Sequence, residues 1–352
     1  MAPGRGSPPH LRRWRLRAGD RTDMCGPGRN RVRRTHAPDV GPVGDASMPA
    51  SRSIGGRFMR NPLLVMLDWW LRRYWAADPA RLGAALRGTP VTLITGASEG
   101  IGLALARRFA AAGHSVVLVA RRADLLEKVA AELRGSHGVE AIALPLDLAL
   151  PDAVERIAAA LAERQLYVDV LVNNAGLGLA GPFLNHDPAE IDRLLNVNVK
   201  VATALMRRFL PDMCVRGRGG VLNVSSLGGY APGPYQAAYY ASRGYLIALT
   251  RALGFETRGQ GVRVAVVAPG PVNTRFHARM GADNSLYRWL IPAGTPEGVA
   301  RAAWRGFRWG KRVIMPGLLA WPMALAMHVT PAVILVPLMG MLLQQRGDDA
   351  RR

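Results

Sequence analysis

The chain has 352 residues, of which 49% are hydrophobic, so it is long enough for one large domain or two small ones and is not disordered throughout. Its net charge of +21 comes almost entirely from arginine, because lysine occurs only at Lys128, Lys200 and Lys311. No basic stripe is interleaved with stacking aromatic residues, so we expect no nucleic-acid partner. Attraction to an anionic membrane surface fits this charge better.

The two cysteines, Cys25 and Cys214, are too few for a disulfide framework or a metal cluster. A reducing compartment is the default for such a chain. We therefore expect a cytoplasmic protein without a metal site, and association with a membrane surface is left open.

Residues 1–58 predict a disordered, Arg-rich tail, because they are rich in Arg, Gly and Pro and show no apolar periodicity. The first 60 residues hold thirteen Arg and four Asp, a net charge of +9. They lack the apolar central region of a signal peptide. A true start at Met48 or Met59 would remove most of this tail.

Residues 59–88 predict an amphipathic helix with a tryptophan-rich face. Trp69, Trp70 and Trp75 lie beside Arg72 and Arg73, the combination found in helices at a membrane interface. The same pattern also fits a helix that packs on its own domain or on a partner subunit, and both interpretations stay open.

From residue 89 to residue 315, short apolar runs alternate with helical stretches. This alternation predicts a doubly wound parallel sheet of seven strands, covered by helices on both faces. The predicted strands are Val91–Thr95, Ser115–Ala120, Ala141–Leu146, Val168–Asn173, Gly220–Ser225, Val262–Ala268 and Arg312–Met315. The predicted helices are Ile101–Ala112, Ala123–Leu133, Ala153–Arg164, Pro188–Arg208 and Tyr239–Arg258.

A glycine-rich loop follows the first predicted strand and opens the first helix. It comprises Gly96, Ser98, Glu99, Gly100, Ile101 and Gly102. Glycines let a backbone turn tightly and approach a pyrophosphate, and a helix N-terminus offers it unpaired N–H groups. The loop therefore predicts a dinucleotide site.

The second predicted strand ends before Arg121 and Arg122, where an NAD-binding protein usually has an acidic residue. Two guanidinium groups would instead pair with a 2′-phosphate. We therefore expect NADP(H) in preference to NAD(H). The alternative is that both arginines are the solvated start of a helix.

Small and polar residues also follow the later strands, and the carboxyl ends of parallel strands share one edge of the sheet. These residues are Asp147 and Leu148, then Asn174, Ala175 and Gly176, and then Pro269, Gly270, Val272 and Thr274. Ser226 follows the fifth strand, and Tyr239 comes 13 residues later. We expect all of them to line one crevice.

Together these motifs, in this order from about Val91 to Met315, resemble the short-chain dehydrogenase/reductase superfamily in its NADP-preferring form. The resemblance implies a Rossmann fold and a catalytic pair, Ser226 and Tyr239. It implies that Asp147 lies by the adenine, that Asn174 supports the end of the fourth strand, and that Thr274 contacts the nicotinamide carboxamide. Asn198 matches the helix asparagine whose backbone holds a proton-relay water.

The resemblance fails at one catalytic position, because Arg243 stands where the family has a lysine, four residues after the tyrosine. Carbonyl reduction needs a hydride and a proton, and a fixed cation beside a tyrosine favours its phenolate form. Arginine keeps the charge and can bind a ribose, but it does not readily give up a proton. The chain is therefore an active oxidoreductase or a nucleotide-binding homologue that acts as a binding or regulatory module.

Two apolar segments point to a lipophilic carbonyl or alcohol substrate. The first lies between Thr274 and Trp309 and contains Phe276, Met280, Leu286, Tyr287, Trp289, Leu290 and Ile291, with Arg275, Arg279 and Arg288 at its expected rim. The second, residues 316–352, is apolar and interrupted by prolines, which argues against one straight membrane-spanning helix. We expect it to cover the cleft or to contact a membrane surface, and we expect a homo-oligomer.

Overall fold

The computed structural model of the protein describes residues 88–282 and 285–344. The predicted tail, residues 1–58, and almost all of the predicted amphipathic helix, residues 59–88, lie outside these residues and stay predictions.

The core of the fold is one sheet of seven parallel strands in the order β3-β2-β1-β4-β5-β6-β7. The predicted α/β fold and all seven predicted strands are confirmed. The strands are β1 (Thr89–Thr95), β2 (Val116–Ala120), β3 (Ala141–Pro145), β4 (Leu166–Asn173), β5 (Gly219–Val224), β6 (Val262–Val267) and β7 (Val313–Ile314).

Helices connect the strands and extend the chain beyond β7. They are α1 (Gly100–Ala110), α2 (Ala123–His137), α3 (Ala153–Glu163), α4 (Pro188–Leu195), α5 (Ala202–Arg216), α6 (Ala237–Glu256), α7 (Phe276–Met280), α8 (Tyr287–Leu290), α9 (Pro296–Arg308), α10 (Ala320–Val329) and α11 (Ala332–Leu343). A π-helical turn, Asn196–Val201, joins α4 to α5, and short 3₁₀ helices form at Phe183–Asn185 and Leu227–Tyr230.

Both faces of the sheet are buried, which explains why its strands are almost continuously apolar. One face packs on α1, α2 and α9, where the Phe109 and Trp304 rings meet edge to face at 4.8 Å. The other face packs on α3, α5 and part of α6 through side chains such as Ile157, Leu205 and Leu246.

Local sequence signals set several helix boundaries. Thr295 caps α9, since its hydroxyl oxygen accepts a hydrogen bond from the Gly298 N–H at 3.1 Å, and Pro296 follows it in the first turn. Helix α2 runs to His137, four residues beyond its predicted end, because the left-handed residue that ends it is Gly138 (φ +63°).

The apolar C-terminal segment forms two short helices rather than one long one. Helix α10 ends at Val329, Thr330 is extended, and Pro331 begins the turn into α11. Across residues 88–282 and 285–344, no helix combines the length and the apolar character needed to cross a membrane.

The strand order reverses direction between β1 and β4, which are neighbours in the sheet although they are not consecutive in the chain. Connections from these two strands lead away to opposite sides, and this opens a crevice at their carboxyl ends. The glycine loop after β1 and the Asn174 segment after β4 form its two walls.

Candidate active site

A cavity of about 720 Å³ lies at the carboxyl ends of the strands. It brings together residues that are far apart in the sequence. All but two of the predicted site residues line it: Gly96, Ser98, Glu99, Gly100, Ile101, Arg121, Arg122, Asp147, Leu148, Asn174, Ala175, Gly176, Ser226, Tyr239, Arg243, Pro269, Gly270, Val272 and Thr274. The exceptions are Gly102 and Asn198, which lie behind the cavity wall.

The glycine loop requires glycine for steric reasons. Gly96 has φ +66°, and a Cβ there would lie 2.8 Å from the Asn174 side-chain nitrogen. A Cβ on Gly102 would overlap the carbonyl oxygen of Gly96. The N-cap residue of α1, Glu99, makes no side-chain capping bond, so its side chain leaves the first-turn N–H groups of the helix for a ligand.

Asn174 and Thr95 join the two walls of the crevice. The Asn174 amide donates to the carbonyl oxygens of Thr95 (2.9 Å) and Gly96 (3.1 Å). In return, the Thr95 hydroxyl oxygen accepts from the backbone N–H groups of Asn174 (3.0 Å) and Ala175 (3.1 Å). These four bonds fix the glycine loop relative to β4.

Glu99 and two arginines form an ion-pair cluster at the mouth of the cavity. Arg122 contacts the Glu99 carboxylate at 2.8 Å and donates to the Ser98 hydroxyl at 3.3 Å, and Arg279 pairs with the other Glu99 oxygen. Burial by itself raises the pKa of Glu99, but the hydrogen bonds and charges of Arg279 and Arg122 outweigh it and hold the pKa below its ordinary value.

Arg121 differs from Arg122, because no hydrogen bond or ion pair of its guanidinium is found in the described part of the chain. It lines the cavity and is exposed. Burial raises the pKa of Asp147, but hydrogen bonds from Ala149 and Arg193 and the charge of Arg193 outweigh it and hold the pKa below its ordinary value. The charge of Arg121 adds a smaller lowering of the same pKa. Arg121 is therefore more available than Arg122 to pair with an anionic ligand.

Ser226 and Tyr239 both line the cavity, from different elements. Ser226 follows β5, and its hydroxyl oxygen accepts a hydrogen bond from the Gly228 N–H at 3.1 Å, which caps the 3₁₀ helix. Tyr239 lies in the first turn of α6, with its ring against Phe276 at a centroid distance of 5.5 Å. The glycine loop and the side chains of Ser226 and Tyr239 therefore line the same cavity.

Arg243 is buried, with only 5% of its surface exposed, one helical turn beyond Tyr239. Its guanidinium carbon lies 4.9 Å from the centre of the Tyr239 ring, and its Nη1 donates to the Val224 carbonyl oxygen at 3.1 Å. Its Nε has no hydrogen-bond partner in the structure, and no carboxylate of the described residues pairs with it. A methyl group on Gly176 would overlap this guanidinium, so residue 176 must be small where the guanidinium passes it.

Asn198 lies in the π-helical turn and is buried behind the cavity. Its side-chain oxygen accepts from the Leu177 N–H and its amide donates to the Leu177 carbonyl, both at 2.8 Å. The same amide donates to the Ser242 hydroxyl at 3.0 Å, and Ser242 donates to the Tyr239 carbonyl at 2.6 Å. Asn198 thus ties α6 to the segment after β4, at a turn where the regular helical hydrogen-bond ladder is interrupted.

The far side of the cavity is apolar and comes from α7, α8, α10 and α11. Four of the predicted apolar residues line it: Phe276, Met280, Tyr287 and Ile291. Trp289 and Leu290 face solvent instead, and the side chain of Arg288 lies outside the described part. We call this apolar wall the roof of the cavity. The C-terminal segment completes it and so covers the cleft, through Met323, Met327, Met339, Leu342 and Leu343.

The sequence analysis also missed polar contributors to the site, among them Arg193, Thr95 and Gln236. Arg193 pairs with Asp147 at 2.6 Å, and Thr95 makes the bonds described above. Gln236, the residue before α6, lines the cavity with 2% of its surface exposed. A polar residue at the end of a buried strand was a usable signal for Thr95, but nothing in the sequence separates Gln236 from an ordinary residue before a helix.

Comparison with known proteins agrees with this geometry. The family model described as short chain dehydrogenase matches residues 90–285. The chain belongs to the short chain dehydrogenase family.

Two solved members of the family resemble the chain in structure. A short-chain dehydrogenase from Sphingobium yanoikuyae in complex with NADPH is 33% identical, with a TM-score of 0.61, over 66% of this chain and 91% of that one. The bulky-bulky ketone specific alcohol dehydrogenase from Comamonas testosteroni is 29% identical, with a TM-score of 0.57, over 66% and 87%. Among curated relatives, the very-long-chain 3-oxoacyl-CoA reductase of Anas platyrhynchos is 33% identical over 66% of this chain and 73% of its own length.

The similarity to these proteins identifies the chain as an oxidoreductase of this family and NADP(H) as its cofactor. The residues present fit that cofactor. The glycine loop has no room for side chains at Gly96 and Gly102. The buried Arg243 Nε lacks an acceptor, and exposed Arg121 stands at the end of β2 where a 2′-phosphate would be bound.

Proposed function

We propose that the protein transfers a hydride between NADP(H) and the carbonyl or alcohol group of a lipophilic substrate, with Ser226 and Tyr239 as its catalytic pair. The observation that carries this proposal is the convergence of Ser226, Tyr239 and the buried Arg243 on one cavity that also contains the glycine loop.

The nucleotide half of the cavity would hold the cofactor. The first turn of α1 would hold the pyrophosphate, Arg121 would hold the 2′-phosphate, and Asp147 would lie toward the adenine. Arg243 would bind the nicotinamide ribose, Asn174 would support the strand end beside it, and Thr274 would contact the carboxamide. When bound, the cofactor supplies a hydride to the carbonyl carbon, or accepts one from the alcohol carbon in the reverse direction.

The protein's own residues manage the proton. Tyr239 donates its hydroxyl proton to the carbonyl oxygen as negative charge develops there, and Ser226 stabilises that charge with a hydrogen bond. The Arg243 cation, 4.9 Å from the Tyr239 ring, stabilises the phenolate that remains. Asn198 keeps the backbone around Tyr239 in place through Ser242, and water beside this turn returns the proton.

The substrate would be lipophilic, because methionine and aromatic side chains form the roof of the cavity. Burial raises the pKa of Tyr240, and the neighbouring Tyr287 and Tyr239 raise it further, so Tyr240 remains neutral in this wall. Two relatives are named for substrates of this class, very-long-chain 3-oxoacyl-CoA and bulky ketones, whereas another is named a sulfoacetaldehyde reductase.

The first test is Tyr239→Phe, with Tyr245→Phe as a matched control on the same helix. Tyr245 is partly exposed, and its hydroxyl bonds Thr203 rather than facing the cavity. Tyr239→Phe is expected to abolish reduction of a panel of lipophilic ketones while NADPH fluorescence still reports binding. Tyr245→Phe is expected to keep the original rate.

The alternative, a nucleotide-binding module without turnover, is favoured by the arginine at position 243. It is the better description if NADPH binds and the unaltered protein, Tyr239→Phe and Arg243→Lys are equally inert toward the whole panel.

We further propose peripheral contact with a membrane surface and a homo-oligomeric state. The outer faces of α10 and α11 are apolar and exposed at Trp321, Leu325, Val333 and Met341. Protein lacking residues 1–58 should sediment with anionic vesicles at high salt, because salt screens charge attraction and not apolar insertion. Complete release would contradict the membrane contact, and a monomer in light scattering would contradict the oligomer.

A further inference from the structure

Gln236 is a buried polar side chain in the substrate half of the cavity. Only 2% of its surface is exposed, and its side-chain Nε2 has no hydrogen-bond partner among residues 88–282 and 285–344. A buried amide N–H without an acceptor costs about 1–3 kcal/mol. Because Gln236 lines the cavity, a bound ligand can supply that acceptor.

The backbone around Gln236 is held in an unusual conformation. Tyr235, the residue before it, has φ +62°, a left-handed conformation that residues other than glycine rarely adopt. The Tyr235 carbonyl accepts a hydrogen bond from the Gly181 N–H at 2.8 Å, and the Gln236 N–H donates to the Gly233 carbonyl at 3.0 Å. The Gln236 carbonyl accepts from the Tyr240 N–H at 3.0 Å, so the backbone at Gln236 is held by residues before and after it.

The contacts of this segment place it on the substrate side rather than the nucleotide side. Pro234 packs beside α11, since a Cβ added to Gly340 would lie 3.8 Å from the Pro234 side chain. Gly181, which bonds Tyr235, follows Ala180 in the chain, and the Ala180 N–H donates to the Met280 carbonyl at 2.8 Å. Gln236 is the N-cap residue of α6, three positions before Tyr239, and both residues line the cavity.

We propose that Gln236 is a specificity-determining residue whose amide donates a hydrogen bond to a second oxygen of the substrate, next to the carbonyl that Tyr239 protonates. This inference rests on the proposed function and narrows its substrate class. The preferred substrate is a lipophilic compound with a second oxygen close to the reducible carbonyl, as in a 3-oxoacyl ester. A simple ketone leaves the Gln236 amide unpaired.

The test compares two ligands that cannot react with the reduced cofactor. One is a medium-chain 3-hydroxyester, and the other is the straight-chain secondary alcohol of equal length, in which methylene groups replace the ester oxygens. Their affinities for the NADPH-loaded protein are measured by the change in NADPH fluorescence. The unaltered protein should bind the hydroxyester about tenfold more tightly, as expected for one buried hydrogen bond.

Gln236→Met keeps the side-chain length and removes the hydrogen bond, so it should reduce this preference to within about twofold while NADPH affinity is unchanged. Gln260→Met, at a surface glutamine that is near Glu256 and outside the cavity, should keep the full preference. Should Gln236→Met fail to fold, Gln236→Asn keeps the amide but withdraws it from the cavity, and it should also lose the preference. The same ratio should appear in kcat/KM for the corresponding 3-oxoester and ketone.

Equal affinity of the unaltered protein for the two ligands would overturn the inference, as would a preference that survives in both Gln236 variants. Either result, obtained with NADPH bound, leaves the proposed function intact. Absence of any NADPH fluorescence change would overturn the proposed function and this inference together.

Discussion

Arg243 offers the sharpest test of the proposed chemistry, through Arg243→Met. The substitution removes a buried cation and keeps a side chain of similar reach. Within the described residues the guanidinium donates one hydrogen bond, to the Val224 carbonyl, and has no carboxylate partner. Loss of that bond costs about 1 kcal/mol, and relief of a buried unpaired charge offsets it. We therefore expect a free energy of unfolding within about 1 kcal/mol of the original.

The effect on cofactor binding and turnover should be much larger. A hydrogen bond from a charged donor contributes about 1.5–3 kcal/mol, so the Kd for NADPH should rise roughly 10- to 100-fold. At an NADPH concentration of about 100 times the original Kd, the stabilisation of about 2.7 kcal/mol should fall to about 0.4–1.4 kcal/mol. If the 4.9 Å between the Arg243 guanidinium carbon and the Tyr239 ring centre is taken as the separation of the two charges, Coulomb's law gives about 3 kcal/mol at an effective dielectric constant of about 20, or roughly 100-fold in kcat.

Urea unfolding without and with NADPH measures the free energy of unfolding and the stabilisation by NADPH. The rate of NADPH oxidation with a lipophilic ketone measures kcat. Arg251→Met, an exposed arginine on the same helix, is the matched control and should change none of them. Arg243→Lys keeps the charge on a group that gives up a proton more readily, so turnover should equal or exceed the original. The reasoning is refuted if Arg243→Met keeps its NADPH stabilisation and its kcat, or unfolds more than about 3 kcal/mol more easily without cofactor.

Three substitutions or deletions test the cavity walls and the tail. Arg121→Ala should weaken NADPH binding relative to NADH by about 1–3 kcal/mol, and more than Arg122→Ala, because Arg122 already pairs with Glu99; equal affinity of the unaltered protein for both cofactors in fluorescence titrations would reject this. Gly176→Ala should lower both stability, by about 1–3 kcal/mol, and NADPH affinity, since its methyl group meets the Arg243 guanidinium; an unchanged urea midpoint speaks against it. Deletion of residues 1–58 should leave Tm and NADPH binding unchanged, and loss of folding on truncation would show that this segment contributes to the core.

The fold was predictable from the sequence because its strands are buried on both faces. Each of the seven apolar runs is too short for a helix and is followed by a small or polar residue, and few folds besides a parallel sheet covered on both faces produce this pattern. Helix ends were less predictable, since α2 continues through Gly135 and stops only at the left-handed Gly138. Helix α9 was not predicted, although Thr295 and Pro296 are a recognisable helix start.

The nucleotide wall of the site was more predictable than the substrate wall, for a physical reason. A dinucleotide site constrains the chain locally, as at Gly96, where only glycine fits. Its sequence signal therefore consists of short motifs. The roof depends on contacts between segments far apart in sequence, such as the bond from the Ser285 hydroxyl to the Leu343 carbonyl at 3.2 Å. Pairing of Arg122 with Glu99 is likewise a tertiary effect, and it shifts the expected phosphate contact toward Arg121.

The two polar atoms that the fold leaves unsatisfied around the cavity divide it into halves. Arg243 Nε and Gln236 Nε2 are both buried, both are donors, and neither has an acceptor in the described protein. Buried amides elsewhere form bonded chains, as from Asn173 through Asn223 to Thr250 with bonds of 2.9 and 2.8 Å, although Asn173 Oδ1 and Arg216 Nε also lack a partner among the described residues. What distinguishes Arg243 and Gln236 is that they also line the cavity, where a ligand can supply the acceptor. Arg243 lies beside Gly176 on the nucleotide side, and Gln236 lies toward the apolar roof. The two proposals therefore assign one acceptor to each ligand: an oxygen of the cofactor would accept from Arg243, and an oxygen of the substrate would accept from Gln236.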